Sequence, residues 1–257
     1  MKLADALFAP RAVALIGASA DAGKNTARPQ RFLRKHGYGG RIVPINPARA
    51  EVLGERAYAS LADAPGDIDH AFIMVPAAQV EAALEQCAAR GVPVATVYSD
   101  GFAETGAAGA ERERLLVEKA RALGVRLLGP NCIGLVNVAN GTTLTVNAVL
   151  EMDALPRGGA SVVSQSGTII GTILSRGAAR GLGFAKLVSV GNEADLGVGE
   201  LVDLLVDDAD TRVILLFLET IRDARGLAQA AERAHTAGKP IVAYKLGRSP
   251  VGREMAT

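Results

Sequence analysis

The sequence predicts two consecutive α/β domains, each built on a parallel sheet covered by helices. Three observations carry this. Short aliphatic runs such as Ala-Val-Ala-Leu-Ile at 12–16 are apolar at every position, as strands buried on both faces must be. Ala/Leu-rich amphipathic stretches separate these runs, and the first of them stop near a glycine. The alternation breaks once, between Gly134 and Gly159, and then restarts.

Strands are expected at 12–16, 41–45, 71–75, 94–97 and 125–128, with helices at 29–35, 79–89 and 110–123 between them. Pro29 suits a first helical turn, where its missing N–H costs nothing. Gly37, Gly91 and Gly124 supply the residue that ends a helix. Such βαβ alternation places helices on both faces of a parallel sheet. Residues 134–147 read differently: Leu135-Val136-Asn137-Val138 and 142–146 alternate like short exposed strands around a hairpin at Asn140-Gly141. Residues 153–159, with Pro156, Gly158 and Gly159, read as a linker, so the boundary is expected near residue 150. Strands at 160–163, 185–189, 213–218 and 241–245, with helices at 167–180, 199–206 and 224–237, then make a second, smaller doubly wound domain.

Composition narrows the partners. The 257 residues suffice for one or two domains with real cores. Hydrophobic residues at 49% against 21% charged exclude a disordered chain. A net charge of +1, with both signs mixed along the chain, lacks the basic field of a nucleic-acid binder. There is no signal-peptide core and no apolar run of bilayer length. A cytoplasmic protein with no membrane and no nucleic-acid partner is expected. Cys87 and Cys132 lack metal-ligand spacing, so no metal site is expected; Cys87 reads as a small core residue. Of the three histidines, His36 ends a helix, His70 opens a strand and His235 lies within a helix, none in a catalytic context.

The chemistry-bearing motifs sit where strands end, which is where open α/β sheets bind ligands. Gly17-Ala18-Ser19 follows the first strand. Small residues there let backbone approach a phosphate, the next helix N-terminus favours an anion, and Lys24 and Arg28 add positive charge. Asn46-Pro47 follows the second strand, where an NAD-binding unit carries an acid for the ribose hydroxyls. The missing acid argues against a nicotinamide oxidoreductase, and the Pro-flanked turn could wall an adenine pocket. Val75-Pro76 and Ser99-Asp100-Gly101 follow strands three and four on the same edge. Together these turns predict a site for a phosphate-bearing adenine cofactor.

Gly129-Pro130-Asn131-Cys132 follows the fifth strand. Cys132 would be a nucleophile only with an activating base that no motif supplies. In the second domain Ser164-Gln165-Ser166-Gly167 closes a strand and opens a helix. Its hydroxyls and N–H groups can hold a phosphoryl group or simply cap the helix. Asn192-Glu193-Ala194-Asp195 and Glu219-Thr220 place carboxylates on the carboxyl edge, with Glu219 poised to act as a base or to orient an imidazole.

Taken in order, Gly-Ala-Ser (17–19), Ile-Asn-Pro (45–47), Val-Pro-Ala (75–77), Gly-Pro-Asn-Cys-x-Gly (129–134), Ser-Gln-Ser-Gly (164–167), Gly-Asn-x-Ala-Asp (191–195) and Leu-Glu-Thr-Ile-Arg-Asp (218–223) resemble the NDP-forming (ADP-forming) acyl-CoA synthetases, relatives of the succinyl-CoA synthetase alpha subunit. The resemblance spans nearly the whole chain. It implies a Rossmann-like CoA-binding domain (1–150) followed by a flavodoxin-like, succinyl-CoA-ligase-type parallel-sheet domain (151–257). It also implies interconversion of acyl-CoA, ADP and phosphate with acid, coenzyme A and ATP, through an acyl phosphate and a phosphohistidine. Gly17, Ala18, Ser19, Asn46, Pro47, Val75, Pro76, Ser99, Asp100 and Gly101 match CoA-contacting turns. Asn131 matches the active-site loop and Glu219 the acid that orients the phosphohistidine; these are the implied catalytic residues. Ser164, Ser166 and Gly167 match the helix N-terminus that holds the phosphoryl group. Implied partners are a small carboxylic acid or its acyl-CoA, and an ATP-grasp domain or subunit that brings ATP or ADP with Mg²⁺. A homo-oligomer is also implied, since relatives associate as dimers or heterotetramers.

Two departures bear on function. Where relatives often carry a lysine after Asn-Pro, Ala48 and Arg49 stand here. The family's phosphohistidine lies in a Ser-His-Thr-Gly stretch after a Gly-Arg-Ser segment. Gly247-Arg248-Ser249 is present, but the sequence reaches Thr257 without such a histidine and without ATP-grasp sequence. The chain is therefore expected to be part of a longer polypeptide and inactive alone. The same loss fits an alternative, a non-catalytic CoA-sensing regulatory module as in acetyltransferase fusions. Sequence downstream of residue 257 distinguishes the two.

Overall fold

The computed structural model describes residues 1–247. Arg248, Ser249 and the closing stretch to Thr257 lie outside the described residues. The first half comprises α1 (Leu3–Phe8), β1 (Ala12–Ile16), α2 (Arg28–Lys35), β2 (Arg41–Ile45) and a small hairpin of β3 (Glu51–Val52) with β4 (Glu55–Arg56). It continues through β5 (His70–Ile73), α3 (Ala77–Ala89), β6 (Val94–Val97), α4 (Ala107–Leu123) and β7 (Arg126–Leu128). The second half begins with β8 (Gly134–Asn137), β9 (Thr142–Thr145), β10 (Arg157–Ser164), α5 (Gly167–Ala178) and β11 (Phe184–Ser189). It ends with α6 (Val198–Val206), β12 (Val213–Leu218), α7 (Ala224–Thr236) and β13 (Ile241–Lys245).

The first sheet has the order β2-β1-β5-β6-β7, with every pair parallel. Its strand order reverses between β1 and β5, so the loops leaving those strands diverge and open a crevice. The second sheet has the order β13-β12-β10-β11-β8-β9, and its reversal falls between β10 and β12. The molecule therefore carries two strand-end crevices, one per sheet.

The aliphatic runs follow from two-sided burial. β1 sends Val13 and Leu15 into one core and Ala14 and Ile16 into the other, so it has no position for a polar side chain. His70 opens β5 although it is fully buried, because both ring nitrogens are partnered. Its Nδ1 lies 3.0 Å from the carbonyl oxygen of Ala6 and its Nε2 lies 2.8 Å from Thr96 Oγ1. β5 ends at Ile73 rather than at residue 75, since Met74-Val75-Pro76 turns into α3 with Pro76 at its N-cap. Helices α3 and α4 begin at Ala77 and Ala107, ahead of the expected 79 and 110. The sequence reading did not anticipate α1 or the β3–β4 hairpin. The carbonyl of Phe8, at the end of α1, accepts from the side chains of Asn137 and Asn140, each at 2.8 Å.

Two expectations need correction. The hairpin around Asn140-Gly141 forms, but its strands are buried, not exposed. β8 pairs antiparallel with β11, so the hairpin extends the second sheet. Leu135 and Leu144 enter a core that also holds Val13 and Leu216, while Val136 packs with Phe32 of α2 and Phe184. Each fully buried leucine of this kind contributes about 1.5–3 kcal/mol. The supposed linker 153–159 is partly strand, since β10 starts at Arg157. Gly158 is there for close strand contact: a Cβ on it would lie 2.5 Å from the Cα of Gly183.

The two sheets are clasped at β7. Arg126 donates to both carboxylate oxygens of Glu200 at 2.8 Å and to Asp195 at 2.9 Å. Asp195 is nearly buried and also accepts from the backbone N–H of Leu127 at 2.9 Å.

Candidate active site

The first crevice is shaped by a close approach of two loops. Gly17 follows β1 with φ +88°, and a Cβ on it would lie 3.1 Å from the backbone carbonyl of Met74. Only glycine permits that conformation at that spacing. Asn46 ties the loop after β2 to the same place: its Nδ2 donates to the carbonyl of Ala18 at 2.9 Å, and its Oδ1 accepts from Ala48 N–H at 2.9 Å. Gly17, Asn46, Pro47 and Val75 line one cavity of about 370 Å³, together with Gln79 and Gln86 of the α3 region. Ala18 is buried behind it. Ser19 Oγ accepts from Asp21 N–H at 3.0 Å, which closes a tight turn. One N–H of the Arg28 guanidinium, expected to add charge near a phosphate, donates to the carbonyl of Val146 at 3.1 Å.

The second crevice lies between the loops after β10 and β12. Gln165, Glu219, Asn131, Asn192, Glu104 and Arg222 line a cavity of about 290 Å³ there. Asn131 has φ +53°, a left-handed conformation that asparagine tolerates better than most residues. Its Nδ2 donates to Asn192 Oδ1 at 3.3 Å. Asn192 Nδ2 in turn donates to the carboxylates of Glu104 and Glu113. Burial pushes the Glu104 carboxyl up, but hydrogen bonds from Asn192 and from backbone N–H groups, including those of Phe102 and Gly101, outweigh it and hold the group below its ordinary range.

Ser99 joins the two crevices. Its hydroxyl donates to the carbonyl of Val75, which borders the first cavity, and its own carbonyl accepts from Asn131 N–H at 2.9 Å, which borders the second. Asp100 is exposed beyond it, and Gly101 turns the loop with φ +94°. Of the Ser-Gln-Ser-Gly segment, Gln165 lines the second cavity, whereas Ser164, Ser166 and Gly167 stand beside it. Ser164 is fully buried; its hydroxyl donates to the carbonyl of Ser166 at 2.7 Å and accepts from Ser166 N–H at 3.2 Å. Ser166 occupies the N-cap of α5 without a side-chain capping bond. Cys132 is fully buried, donates to the carbonyl of Ser189 at 3.0 Å, and burial pushes its thiol up to about 12. That removes it as a nucleophile.

Sequence reasoning assigned no role to Gln165, Asn192, Glu104, Glu193 or Arg222. Gln165, Asn192, Glu193 and Arg222 stood inside quoted motifs, so the signal was present without a partner to interpret it. Glu104 had no local signal. A larger groove of about 900 Å³ lies between α6 and α7 and is lined by paired charges such as Arg233 with Asp203. Among the described residues, no group of His, Cys, Asp and Glu is arranged to hold a metal ion, and no helix is long and apolar enough to cross a membrane.

Comparison with known proteins matches both halves. Residues 11–138 fit the family model of a CoA binding domain, and residues 157–257 fit that of a succinyl-CoA ligase like flavodoxin domain. The chain belongs to the NDP-forming acyl-CoA synthetase family. This synthetase-family chain is 38% identical over 247 residues to the ADP-forming acetate–CoA ligase of Methanocaldococcus jannaschii, across 96% of the chain and 34% of that protein. It is 36% identical over 252 residues to the alpha subunit of ADP-forming acetate–CoA ligase II of Pyrococcus furiosus, across 98% of the chain and 54% of that subunit. The apo structure of dinucleotide-forming acetyl-coenzyme A synthetase 1 from Candidatus Korarchaeum cryptofilum matches with a TM-score of 0.92 at 34% identity, covering 98% of this chain and 54% of that one. The synthetase-family chain thus spans a third to about half the length of these relatives. Both relatives compared by sequence are ligases by name. The Rossmann-like sheet followed by a flavodoxin-like sheet is the order expected from the sequence.

Proposed function

We propose that this chain is the CoA-binding and acyl-phosphate-forming part of an ADP-forming acid–CoA ligase. The observation that carries the reading is Ser99, which holds Val75 of one strand-end cavity and Asn131 of the other. In this reading CoA lies against Gly17, Ala18, Ser19, Asn46 and Pro47. It then passes Val75, Pro76 and the Ser99-Asp100-Gly101 turn, with its sulfur end at Asn131.

The chemistry follows from that placement. A phosphate oxygen attacks the thioester carbonyl carbon, the C–S bond breaks, CoA leaves as a thiolate that takes up a proton, and an acyl phosphate remains. The Asn131 carboxamide faces the carbonyl oxygen as charge develops there. The Ser166 and Gly167 N–H groups at the start of α5 carry phosphoryl charge, and Ser164 shapes that turn from beneath. The phosphoryl group then passes from the acyl oxygen to an imidazole nitrogen, releasing the carboxylate. Glu219 orients that imidazole and offsets its positive charge. The imidazole, and the ATP-grasp domain that binds ADP with Mg²⁺, come from sequence not contained in these 257 residues. The chain alone is then inactive, and a homo-oligomer is part of the same reading, to be checked by light scattering.

Calorimetric titration with CoA tests the first cavity, and absence of binding at millimolar CoA overturns the proposal. With the ATP-grasp partner supplied, ADP- and phosphate-dependent thiol release from an acyl-CoA is expected. Glu219→Gln should lower that turnover by about a hundredfold or more while CoA affinity stays unchanged.

A further inference from the structure

We propose that Gln165 is a positioning residue whose carboxamide, oriented by Glu193, sets where the Glu219 carboxylate stands. The inference rests on the role given to Glu219 above. Gln165 ends β10's loop side at the second crevice and is only 8% exposed. Its Oε1 accepts from the backbone N–H groups of both Glu219, at 2.6 Å, and Thr220, at 2.9 Å. Its Nε2 donates to the carbonyl of Thr220 at 3.2 Å and to the Glu193 carboxylate. Two N–H donors on one side, and the Glu193 carboxylate with the Thr220 carbonyl on the other, leave one orientation for the amide; the Thr220 hydroxyl at 3.4 Å from Nε2 suits either. A flipped amide would oppose like groups at those four fixed donors and acceptors.

Glu193 is itself held. It is 8% exposed, and its other carboxylate oxygen accepts from Val198 N–H at 2.7 Å, at the start of α6. Its backbone sits at φ +55°, which glutamate adopts at a cost of order 1 kcal/mol and which turns the carboxylate inward toward Gln165. On the far side, Lys245 Nζ donates to the carbonyl of Glu219 at 2.7 Å. The Glu219 peptide is thus gripped at its N–H by Gln165 and at its carbonyl by Lys245. Among the described residues no hydrogen bond engages the Glu219 carboxylate. Its placement comes from the backbone that Gln165 holds.

A polarity swap separates this from simple packing. Gln165→Glu keeps the shape and both acceptor roles, but it removes the N–H donors and sets a second carboxylate against Glu193. Adding Glu193→Gln restores a donor opposite that carboxylate. A side chain that only fills space is indifferent to such a swap.

In the isolated chain, the ¹H–¹⁵N resonances of Glu219 and Thr220 should shift in Gln165→Glu and move back in the double variant. Unshifted resonances in Gln165→Glu overturn the proposal. With the ATP-grasp partner present, Gln165→Glu should lower kcat about tenfold to a hundredfold, leave KM for CoA within about twofold, and recover in the double variant. An equal loss in the double variant, or an effect confined to KM for CoA, overturns it. If the unaltered protein shows no ligase turnover, the functional reading fails, and the amide resonances still decide the Gln165–Glu193 lock. Should Gln165→Glu not fold, Glu193→Gln alone removes one acceptor from that lock. The same two resonances must then shift for the proposal to stand.

Discussion

Asn131 donates its side-chain N–H to Oδ1 of Asn192 at 3.3 Å, joining the loop after β7 in one sheet to the loop after β11 in the other. Asn192 in turn uses its own amide hydrogens on Glu104 and Glu113, so one carboxamide neutralises the approach of two carboxylates. Glu113 is buried and also accepts from Ala103 N–H at 3.3 Å. Asn192→Ala should therefore cost about 2 kcal/mol, the scale of hydrogen bonds to charged groups. Asn192→Asp should cost more, because it places a third carboxylate there. Urea unfolding of the three proteins checks the order.

Gly17→Ala should weaken CoA binding more than it weakens the fold. The added methyl meets the Met74 carbonyl at 3.1 Å, and the backbone must keep φ +88°. Left-handed backbone costs an alanine about 1–2 kcal/mol, and the loop that relieves it is the one lining the cavity. Calorimetry against a melting curve of the same variant separates the two effects.

His70 should make stability depend on pH. Burial depresses its pKa to about 4, partly opposed by the hydrogen bond to the carbonyl of Ala6. Between pH 4 and the unfolded value of about 6.5, the unfolded chain binds a proton that the folded one does not, so stability rises with pH across that window. A full shift of this size corresponds to about 3 kcal/mol, present above the unfolded value, lost progressively as pH falls, and gone below the folded one. Urea unfolding between pH 4 and 7 should show this slope, and His70→Gln should flatten it.

Neither cysteine should react in the native protein. Burial pushes both the Cys87 and Cys132 thiols up to about 12. Iodoacetamide at pH 8 should label neither until urea is added, as read by mass spectrometry. Cys132→Ala should retain CoA binding and, with the ATP-grasp partner, thioester cleavage. Loss of thioester cleavage with CoA binding intact would return Cys132 to the chemistry.

Much of the architecture was legible because it is written locally. Ala12–Ile16, Arg41–Ile45, Val94–Val97 and Val213–Leu218 are strands at the bounds their aliphatic runs mark. A strand buried on both faces favours apolar side chains, and its polar exceptions, such as His70 with Thr96, are hydrogen-bonded to each other. The hairpin at Asn140-Gly141 was equally readable from its turn, but its burial was not. Alternating Leu135, Val136 and Leu144 look half-exposed until α2 and the first sheet's core are seen to cover them. Arg157, Gly158 and Gly159 look like a linker because glycine in sequence signals a turn, whereas here it admits the backbone of Gly183.

The site divides in the same way. Gly17, Asn46, Asn131, Ser164 and Glu219 were singled out in the sequence because each stands at the end of a strand or just after it, and strand ends face ligands in this kind of sheet. Which of them meet was decided by strand order: β1 beside β5 makes one crevice, and β10 beside β12 the other. Ser99 links the two, and Gln165 with Glu193 sets the Glu219 backbone, across separations of 54 residues and 28 residues. Local periodicity carries burial and turns, since both are settled within a few residues. The pairing of distant loops depends on how crossovers order the strands, and that only the folded chain decides.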